Sequence, residues 1–187
     1  MSKLAGSSTF QVLTVPWEDQ RASALRVAMD AEMGERYAGR LTQSAAVSRA
    51  FAIDPNEIVA VVIVVDSDGT AAGHAALRRL GDEWEVKRVI VDSVHRGNGI
   101  GRLLMSEIES VARDNGAERL ILHTGDRQPE AVAMYQRIGY TGIDVYPPYD
   151  AIAFSLCFEK RLAGDQEPHH AGEVVARAAF LGEHHQP

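Results

Sequence analysis

WEVKRVIVDSVHRGNGIGRLL (residues 84–104) is the stretch of sequence around which the rest of this chain is organised. It begins as an apolar strand, turns through a glycine-rich segment at 96–101 and continues directly into an amphipathic helix. Glycines at such a junction allow backbone N–H groups to point outward at a helix N-terminus, where the helix dipole favours negative charge. The stretch therefore predicts a phosphate-binding turn, although an ordinary tight strand-to-helix turn explains the glycines alone equally well.

The glycine spacing excludes two common nucleotide-binding motifs. A P-loop needs Lys-Ser/Thr after its last glycine, and Arg102-Leu103 follows Gly101 here. A Rossmann fingerprint needs another glycine three residues after Gly99, and that position is Arg102. What remains is an Arg-x-x-Gly-x-Gly turn, which would hold a phosphate through backbone amides.

A second motif, QPEAVAMYQRIGY (residues 128–140), lies one helix and one strand further along the chain. Together the two motifs resemble the GNAT superfamily of N-acetyltransferases. There the first motif binds the diphosphate of acetyl-CoA, and the second commonly reads Asn-x-x-Ala-x-x-Leu-Tyr-x-x-x-Gly-Phe. The chain matches at Ala131, Tyr135 and Gly139 and departs at Gln128, where an asparagine is usual. A glutamine can still hydrogen-bond a pantetheine amide, and the resemblance covers residues 58–160.

The resemblance implies an α/β (α+β) fold, with a mixed central sheet of about six to seven strands and helices on both faces. It also implies a V-shaped splay between strands 4 and 5. One domain would occupy residues 1–163. The segment 164–187 is polar and histidine-rich with one helical patch, and we expect a C-terminal tail there.

The strand at 84–91 contains an irregularity that indicates a bulge. Val86, Val89 and Val91 cannot all face one side with a period of two, because the first spacing is three. A bulge at Lys87 and Arg88 reconciles the three valines, and it would splay the strand from its neighbour and expose backbone groups to a ligand. In the GNAT superfamily the fourth strand is similarly bulged and admits the pantetheine arm.

The resemblance implies acetyl-CoA as a cosubstrate. Its binding residues would come from the bulged strand, the glycine-rich turn and the second motif: Val89, Ile90, Val91, Arg96, Gly97, Asn98, Gly99, Ile100, Gly101, Arg102, Gln128 and Tyr135. A backbone N–H near 89–91 is expected to stabilise the oxyanion. The histidines at 169, 170, 184 and 185 lack the ligand spacing of a metal site, so no metal ion is expected.

Acetyl transfer from a thioester to an amine needs one group that accepts the amine proton and another that protonates the departing thiolate. Tyr135 is the candidate acid, because a phenol with a pKa of about 10 suits a thiolate leaving group. The superfamily also places a tyrosine beside the coenzyme sulfur. The alternative is a core aromatic residue at helical spacing from Ala131.

Glu85 is the candidate base. Histone-acetylating members of the superfamily carry a catalytic glutamate at the equivalent place on this strand, and a carboxylate in an apolar cleft becomes a stronger base. A solvated strand glutamate is an equally good interpretation, and many members use a water chain instead. His123 and Asp92 are further candidates.

Composition limits the partners of the chain. Its 187 residues carry a formal net charge of −7, which argues against nucleic-acid binding. Cys157 is the single cysteine, which favours a reducing compartment. No apolar run approaches the roughly 18 residues of a membrane span, and the N-terminus lacks the apolar region of a signal peptide. We therefore expect a cytoplasmic protein with no membrane partner.

These observations predict an N-acetyltransferase that moves the acetyl group of acetyl-CoA to a primary amine of a small molecule, by direct attack in a ternary complex. A protein N-terminus or lysine is the alternative acceptor. A non-catalytic acyl-CoA-binding module is the alternative from another functional class. A homodimer is compatible with the resemblance by analogy.

Overall fold

The computed structural model describes residues 10–40 and 45–162, which contain seven strands and four α-helices. The strands are β1 (Gln11–Val15), β2 (Ile58–Val65), β3 (Ala71–Leu80), β4 (Glu83–Val91), β5 (Arg119–Gly125), β6 (Thr141–Ile143) and β7 (Ser155–Arg161). The helices are α1 (Gln20–Arg36), α2 (Ala45–Phe51), α3 (Ile100–Asp114) and α4 (Pro129–Arg137). Short 3-10 turns occupy Pro55–Glu57, Ser93–His95 and Tyr149–Ala151.

The strands form one mixed sheet in the order β1-β2-β3-β4-β5-β7-β6. The pairing of β4 with β5 is parallel, because α3 carries the chain between them, and the other pairings are antiparallel. The turn between β2 and β3 is closed by Asp66, whose side chain accepts the backbone N–H groups of Asp68 and Thr70 at 2.9 Å. This sheet, with helices on both faces, confirms the predicted fold class.

The sheet separates two apolar clusters, and the sequence of β2 explains how. Val62 and Val64 point to the cluster under α3, whereas Val61, Ile63 and Val65 point to a smaller cluster that contains Ala22 of α1. A strand that is buried on both faces must be apolar at every position instead of alternating. The β-branched run IVAVVIVV meets that requirement.

Helix α3 has the expected amphipathic stripe, with one correction. Ile100, Leu104, Ile108 and Ala112 are fully buried, at spacings of four residues. The apolar pattern of the sequence predicts a buried stripe of Ile100, Leu103, Leu104, Ile108, Val111 and Ala112, and for Leu103 this prediction is wrong, because its side chain is 41% exposed. Leu103 precedes Leu104 by one residue, which is about 100° around the helix and carries it towards solvent.

The C-terminal part of the sheet differs slightly from the prediction. The sequence pattern predicts strands at 140–145 and 154–160, and both are present, but within the described residues β6 spans only Thr141–Ile143 and pairs with β7 alone. The predicted tail at 164–187, with its four histidines, lies outside the described residues. Within the described residues, the helices are too short or too polar to cross a membrane.

Candidate active site

The sheet opens between β4 and β5. Their parallel pairing joins Glu85 with Ile121 and Val86 with Leu122, and the described part of the chain contains no further residue pair between them. Beyond this point a bulge displaces β4, because one extra residue lies between Lys87 and Ile90 relative to β3. Inside the bulge Arg88 has a φ of 56°, which is uncommon for a residue other than glycine. The predicted bulge is confirmed, and it lies at Arg88 and Val89, one position later than the predicted Lys87 and Arg88.

His74 of β3 holds the bulge in place. Its Nδ1 lies 2.7 Å from the carbonyl oxygen of Arg88, and its Nε2 lies 3.2 Å from Nη1 of Arg26. Because a carbonyl only accepts and a guanidinium only donates, Nδ1 carries the single proton of a neutral imidazole. Burial lowers the pKa of His74 to about 4, which keeps the ring neutral. In a trans peptide the N–H points opposite to the C=O, so the N–H of Val89 points away from His74.

The chain then enters α3 without a side-chain cap. Gly97 and Gly99 have φ values of 83° and 78°, which side chains with a Cβ rarely adopt. Gly99 is the N-cap of α3, and among the described residues no side chain accepts a hydrogen bond from this helix end. A Cβ added at either glycine would have no heavy atom within 4 Å, so the space above the turn is open. The first amides of α3 can therefore bind an anionic ligand.

Two side chains of the turn brace it against the rest of the protein. Arg96 donates from Nε to the carbonyl oxygen of Val91 at 3.1 Å and from Nη2 to Glu32 of α1 at 2.6 Å. Asn98 donates from Nδ2 to the carbonyl oxygen of His95 at 2.9 Å. The turn is thus attached to both β4 and α1.

The first of two cavities has a volume of about 330 Å³ and runs from the opening in the sheet to this turn. Of the residues predicted to bind the cosubstrate, Asn98 does not line it. The others do: Val89, Ile90, Val91, Arg96, Gly97, Gly99, Ile100, Gly101, Arg102, Gln128 and Tyr135. Gly101 allows α3 and α4 to approach closely here, because a Cβ at this position would lie 2.5 Å from Sδ of Met134.

The second cavity has a volume of about 270 Å³ and lies beside α1 and α2. Its walls are largely apolar and include Met29, Met33, Tyr37, Phe51 and Phe154. Both cavities are lined by the same five residues where they meet: Met29, Met33, Val89, Gln128 and Tyr135. Two molecules bound in the two cavities would therefore meet at Val89 and Tyr135.

Tyr135 lies at this junction and is only 5% exposed. Burial raises the pKa of its phenol, because the phenolate would lose its hydration. The phenol therefore stays protonated at neutral pH, and the same burial makes it a weaker acid than a free phenol. The ring also contacts Tyr140 and Phe158 in the core, so the residue combines a packing role with its place at the junction.

Glu85 lies away from both cavities, in a buried polar cluster. Its side chain is fully buried, and its two oxygens accept hydrogen bonds from Arg78 Nε at 2.7 Å and from the Tyr146 hydroxyl at 2.9 Å. Neither cavity is lined by Glu85. This geometry counts against the predicted role as general base, because an amine in the second cavity has no direct contact with the carboxylate.

The two further candidates for the base differ in position. Asp92 caps the turn Ser93–His95 by accepting the N–H of Val94 at 3.1 Å, and it lines neither cavity. His123 lines the second cavity and stacks on Tyr149 with 3.9 Å between ring centroids. Burial, aided by the charge of Lys87, lowers the pKa of His123 to about 3.

The protonation of His123 follows from its partners. Its Nε2 lies 3.0 Å from Ser155 Oγ, and Ser155 itself donates to the carbonyl oxygen of Tyr149 at 3.0 Å. Because the serine proton is already donated, Nε2 must carry the proton of the imidazole, which leaves a lone pair on Nδ1.

Lys87 is the residue of this site that sequence reasoning missed. It lines the second cavity and is only 8% exposed. A signal was present, because Glu85 and Lys87 are residues of opposite charge two positions apart in a predicted strand. Such spacing puts both on one face of the sheet, where burial of a lysine requires an explanation.

The chain is similar in sequence to known acetyltransferases. A family model described as the acetyltransferase (GNAT) family matches residues 25–140. A protein of Azospirillum brasilense named IAA acetyltransferase is 36% identical over 102 residues, which cover 54% of this chain and 67% of that protein. Streptothricin acetyltransferase of Streptomyces lavendulae is 35% identical over 88 residues, covering 44% of this chain and 46% of the relative.

A solved structure agrees with these sequence matches. A crystal structure from Klebsiella pneumoniae, assigned as an acyl-CoA N-acyltransferase, superposes with a TM-score of 0.68 at 28% identity. The superposition covers 83% of this chain and 99% of the other.

Proposed function

Because the chain belongs to the acetyltransferase (GNAT) family, we propose that it transfers the acetyl group of acetyl-CoA to a primary amine of a small molecule. The observation that carries this proposal is the position of Tyr135 on the wall that the two cavities share. A phenol at that place can reach a thioester in one cavity and an amine that enters from the other.

The first cavity suits the cosubstrate. The uncapped N-terminus of α3 offers amides and a positive dipole end to a diphosphate. The part of the cavity between Val89 and Gln128 would take the pantetheine arm. When bound there, acetyl-CoA supplies a thioester whose acyl carbon is open to nucleophilic attack.

In the transfer step, groups at the junction of the two cavities account for each bond and proton. The amine nitrogen forms a bond to the acyl carbon, and the carbon–sulfur bond breaks as the amide forms. The N–H of Val89 would stabilise the oxyanion in the intermediate. Tyr135 donates its phenolic proton to the departing thiolate and regains a proton from solvent. The proton released by the amine passes to water in the second cavity, since the Glu85 carboxylate lies outside it.

The second cavity supports a small acceptor. Its volume of about 270 Å³ and its apolar walls fit a metabolite-sized molecule. The relatives named for IAA and streptothricin are consistent with a small-molecule acceptor, although the chain spans less than half of the streptothricin enzyme.

The test of this function is release of free thiol when the full chain is incubated with acetyl-CoA and a panel of primary amines. An acetyltransferase releases one thiol for each amide formed. Binding of acetyl-CoA without thiol release for any amine, peptide N-termini and lysine peptides included, would show a binding module instead.

Tyr135→Phe tests the acid. We expect kcat to fall about 100-fold, because a positioned general acid typically contributes that much or more, while the Kd for acetyl-CoA stays nearly constant. Tyr140→Phe is a matched control, since it removes a buried phenol that lines neither cavity. An unchanged kcat in Tyr135→Phe would remove this residue from the mechanism.

A further inference from the structure

Lys87 places a buried cation at the wall of the acceptor cavity. Its Nζ donates to the hydroxyl of Tyr149 at 2.7 Å and lies 4.7 Å from the centroid of the same ring. The alkyl chain is enclosed, and the residue as a whole is 8% exposed. A lysine in such surroundings is rare unless its charge has a partner.

Within the described residues, Lys87 has no carboxylate partner in ion-pair contact. The nearby carboxylate, Glu85, accepts its hydrogen bonds from Arg78 and Tyr146. The Tyr149 hydroxyl is shared, because Arg78 also donates to it, at 3.2 Å. An ammonium group has three N–H donors, and the structure records an acceptor for one of them.

The charge state of Lys87 at neutral pH follows from its surroundings. Burial lowers the pKa of Lys87 to about 8, with Glu85 acting in the opposite direction and Arg78 and Arg88 reinforcing the decrease. At pH 7 most molecules therefore still carry the ammonium ion. A buried cation with free donors beside a cavity attracts an anionic group of the molecule that enters the cavity.

We propose that the acceptor is an amine that also carries a carboxylate, as an apolar amino acid does, and that the carboxylate binds to Nζ of Lys87. This inference rests on the proposed acetyl transfer. The apolar part of the acceptor would pack on Met29, Met33 and Phe51. Lys87 lies two residues before Val89 on the same strand, and both residues line the second cavity. An amine and a carboxylate separated by few bonds could thus contact both places.

A proton-transfer role for Lys87 differs from this one in what it predicts. A base would act on every amine acceptor equally, whether or not the acceptor carries a carboxylate. An ammonium with unused donors is suited to hold an anion.

The test compares matched acceptors that differ only in the carboxylate. Thiol release is measured at pH 7 for methionine, leucine and phenylalanine, and for the amide and the decarboxylated amine of each. We expect kcat/KM of the wild type to be at least about tenfold higher for an amino acid than for its two analogues. In Lys87→Met this ratio should fall towards one, and Lys87→Arg should restore part of it. Comparing ratios between variants cancels the intrinsic reactivity of each amine.

Two controls separate charge recognition from structural damage. Arg79→Met removes a cation that stacks on Trp84 outside both cavities, and it should keep the wild-type ratio. The wild-type ratio should also decline as the pH rises past the pKa of Lys87, which a purely structural role would not produce. Binding of N-acetyl-methionine and its amide in the presence of CoA, measured by calorimetry, reports the same preference without turnover.

The outcomes distinguish the two proposals. Equal kcat/KM for acids and analogues in the wild type, or a preference that persists in Lys87→Met, would overturn the carboxylate site while leaving acetyl transfer intact. A pH–rate profile altered equally for all acceptors in Lys87→Met would also overturn it, by assigning Lys87 to proton transfer. Acid-selective binding that Lys87→Met abolishes, without thiol release from any amine, would support the site and reject the acetyltransferase reaction.

Discussion

Glu85 and Lys87 are neighbours on one face of β4, but their surroundings differ. Both oxygens of Glu85 accept hydrogen bonds from protein donors, whereas Lys87 has donors to spare beside a cavity. Removing either member of a buried, hydrogen-bonded ion pair destabilises the fold, because the remaining charge is left buried without its partner. Glu85 therefore has the character of a structural residue, while Lys87 has that of a ligand-binding one.

The substitution Glu85→Gln separates structure from catalysis. Removing the charge leaves Arg78 with the exposed Glu57, at 3.1 Å, as its remaining carboxylate partner, so we expect the free energy of unfolding to fall by about 1–3 kcal/mol. The acidic limb of the pH–rate profile should keep its position in the folded enzyme. Chemical denaturation and rate measurements on the same sample check both statements.

Glu83→Gln is the matched control for that experiment. Glu83 lies on the same strand but is 37% exposed and pairs with Arg119 at the surface, where a salt bridge contributes at most about 1 kcal/mol. Loss of the acidic limb in Glu85→Gln, together with unchanged stability, would restore Glu85 as the base.

At the level of elements, the site depends on how closely α3 packs on the sheet. Gly73 of β3 lies under the first turn of the helix, and a Cβ there would be 2.7 Å from Cγ2 of Ile100 and 2.9 Å from Cδ1 of Leu104. The carbonyl oxygen of Ile90 is also within 3.2 Å of that position. The absence of a side chain at Gly73 thus determines where the amides of α3 lie relative to β4.

Gly73→Ala should therefore disturb both stability and cosubstrate binding. We expect the free energy of unfolding to decrease by about 1–3 kcal/mol, as is typical when an extra methyl group overpacks a core. We also expect weaker binding of CoA, because the N-terminus of α3 has to shift. Denaturation and calorimetry measure the two effects. Gly142→Ala, where a Cβ meets no heavy atom within 4 Å, should change neither, and equal behaviour of the two variants would contradict the packing argument.

Most elements could be predicted from local pattern, and the exceptions have physical causes. The bulge in β4 followed from the spacing of three valines, because a strand with one buried face tolerates no shift of its period. The exposure of Leu103 was missed, because an apolar stripe identifies the buried face of a helix but not the width of that face. The length of β6 depends on its one neighbour, β7, which no local pattern reveals.

At the scale of the whole molecule, two histidines, the buried His74 and the half-buried His123, link stability to pH. Burial lowers the pKa of His74 to about 4 and that of His123 to about 3, from an ordinary value near 6.5. Between pH 6.5 and the lowered pKa of each histidine, the imidazole is protonated in the unfolded chain but neutral in the folded protein. The stabilisation by neutral histidines is therefore complete above about pH 6.5 and is lost as the pH falls towards 4.

We expect the free energy of unfolding to decrease on acidification from pH 6.5 to 4, by up to about 3 kcal/mol for each histidine. Carboxylates titrate in the same range, so the contribution of one histidine is isolated by comparison with His123→Gln. This variant should show a shallower dependence of the unfolding free energy on pH. Parallel curves for the wild type and the variant would mean that His123 is protonated in the folded protein.

The candidate site shows where sequence reasoning reaches its limit. The resemblance of two motifs to the GNAT superfamily brought the glycine-rich turn, Gln128 and Tyr135 into one group, and in the structure they line one cavity. The surroundings of Glu85 and Lys87 could not be predicted, because they depend on Tyr146 and Tyr149, which come from a loop far along the chain. Long-range polar contacts leave no periodic signal in a sequence.

The parallel seam in the sheet, only two residue pairs long, has a consequence for protein engineering. One half of the sheet comprises β1 to β4, and the other comprises β5, β7 and β6, so few backbone hydrogen bonds connect them directly. Substitutions that stiffen either half should raise thermal resistance at little cost to turnover. A cross-link that joins β4 to β5 beyond their two paired residues would occupy the space where the two reactants have to meet.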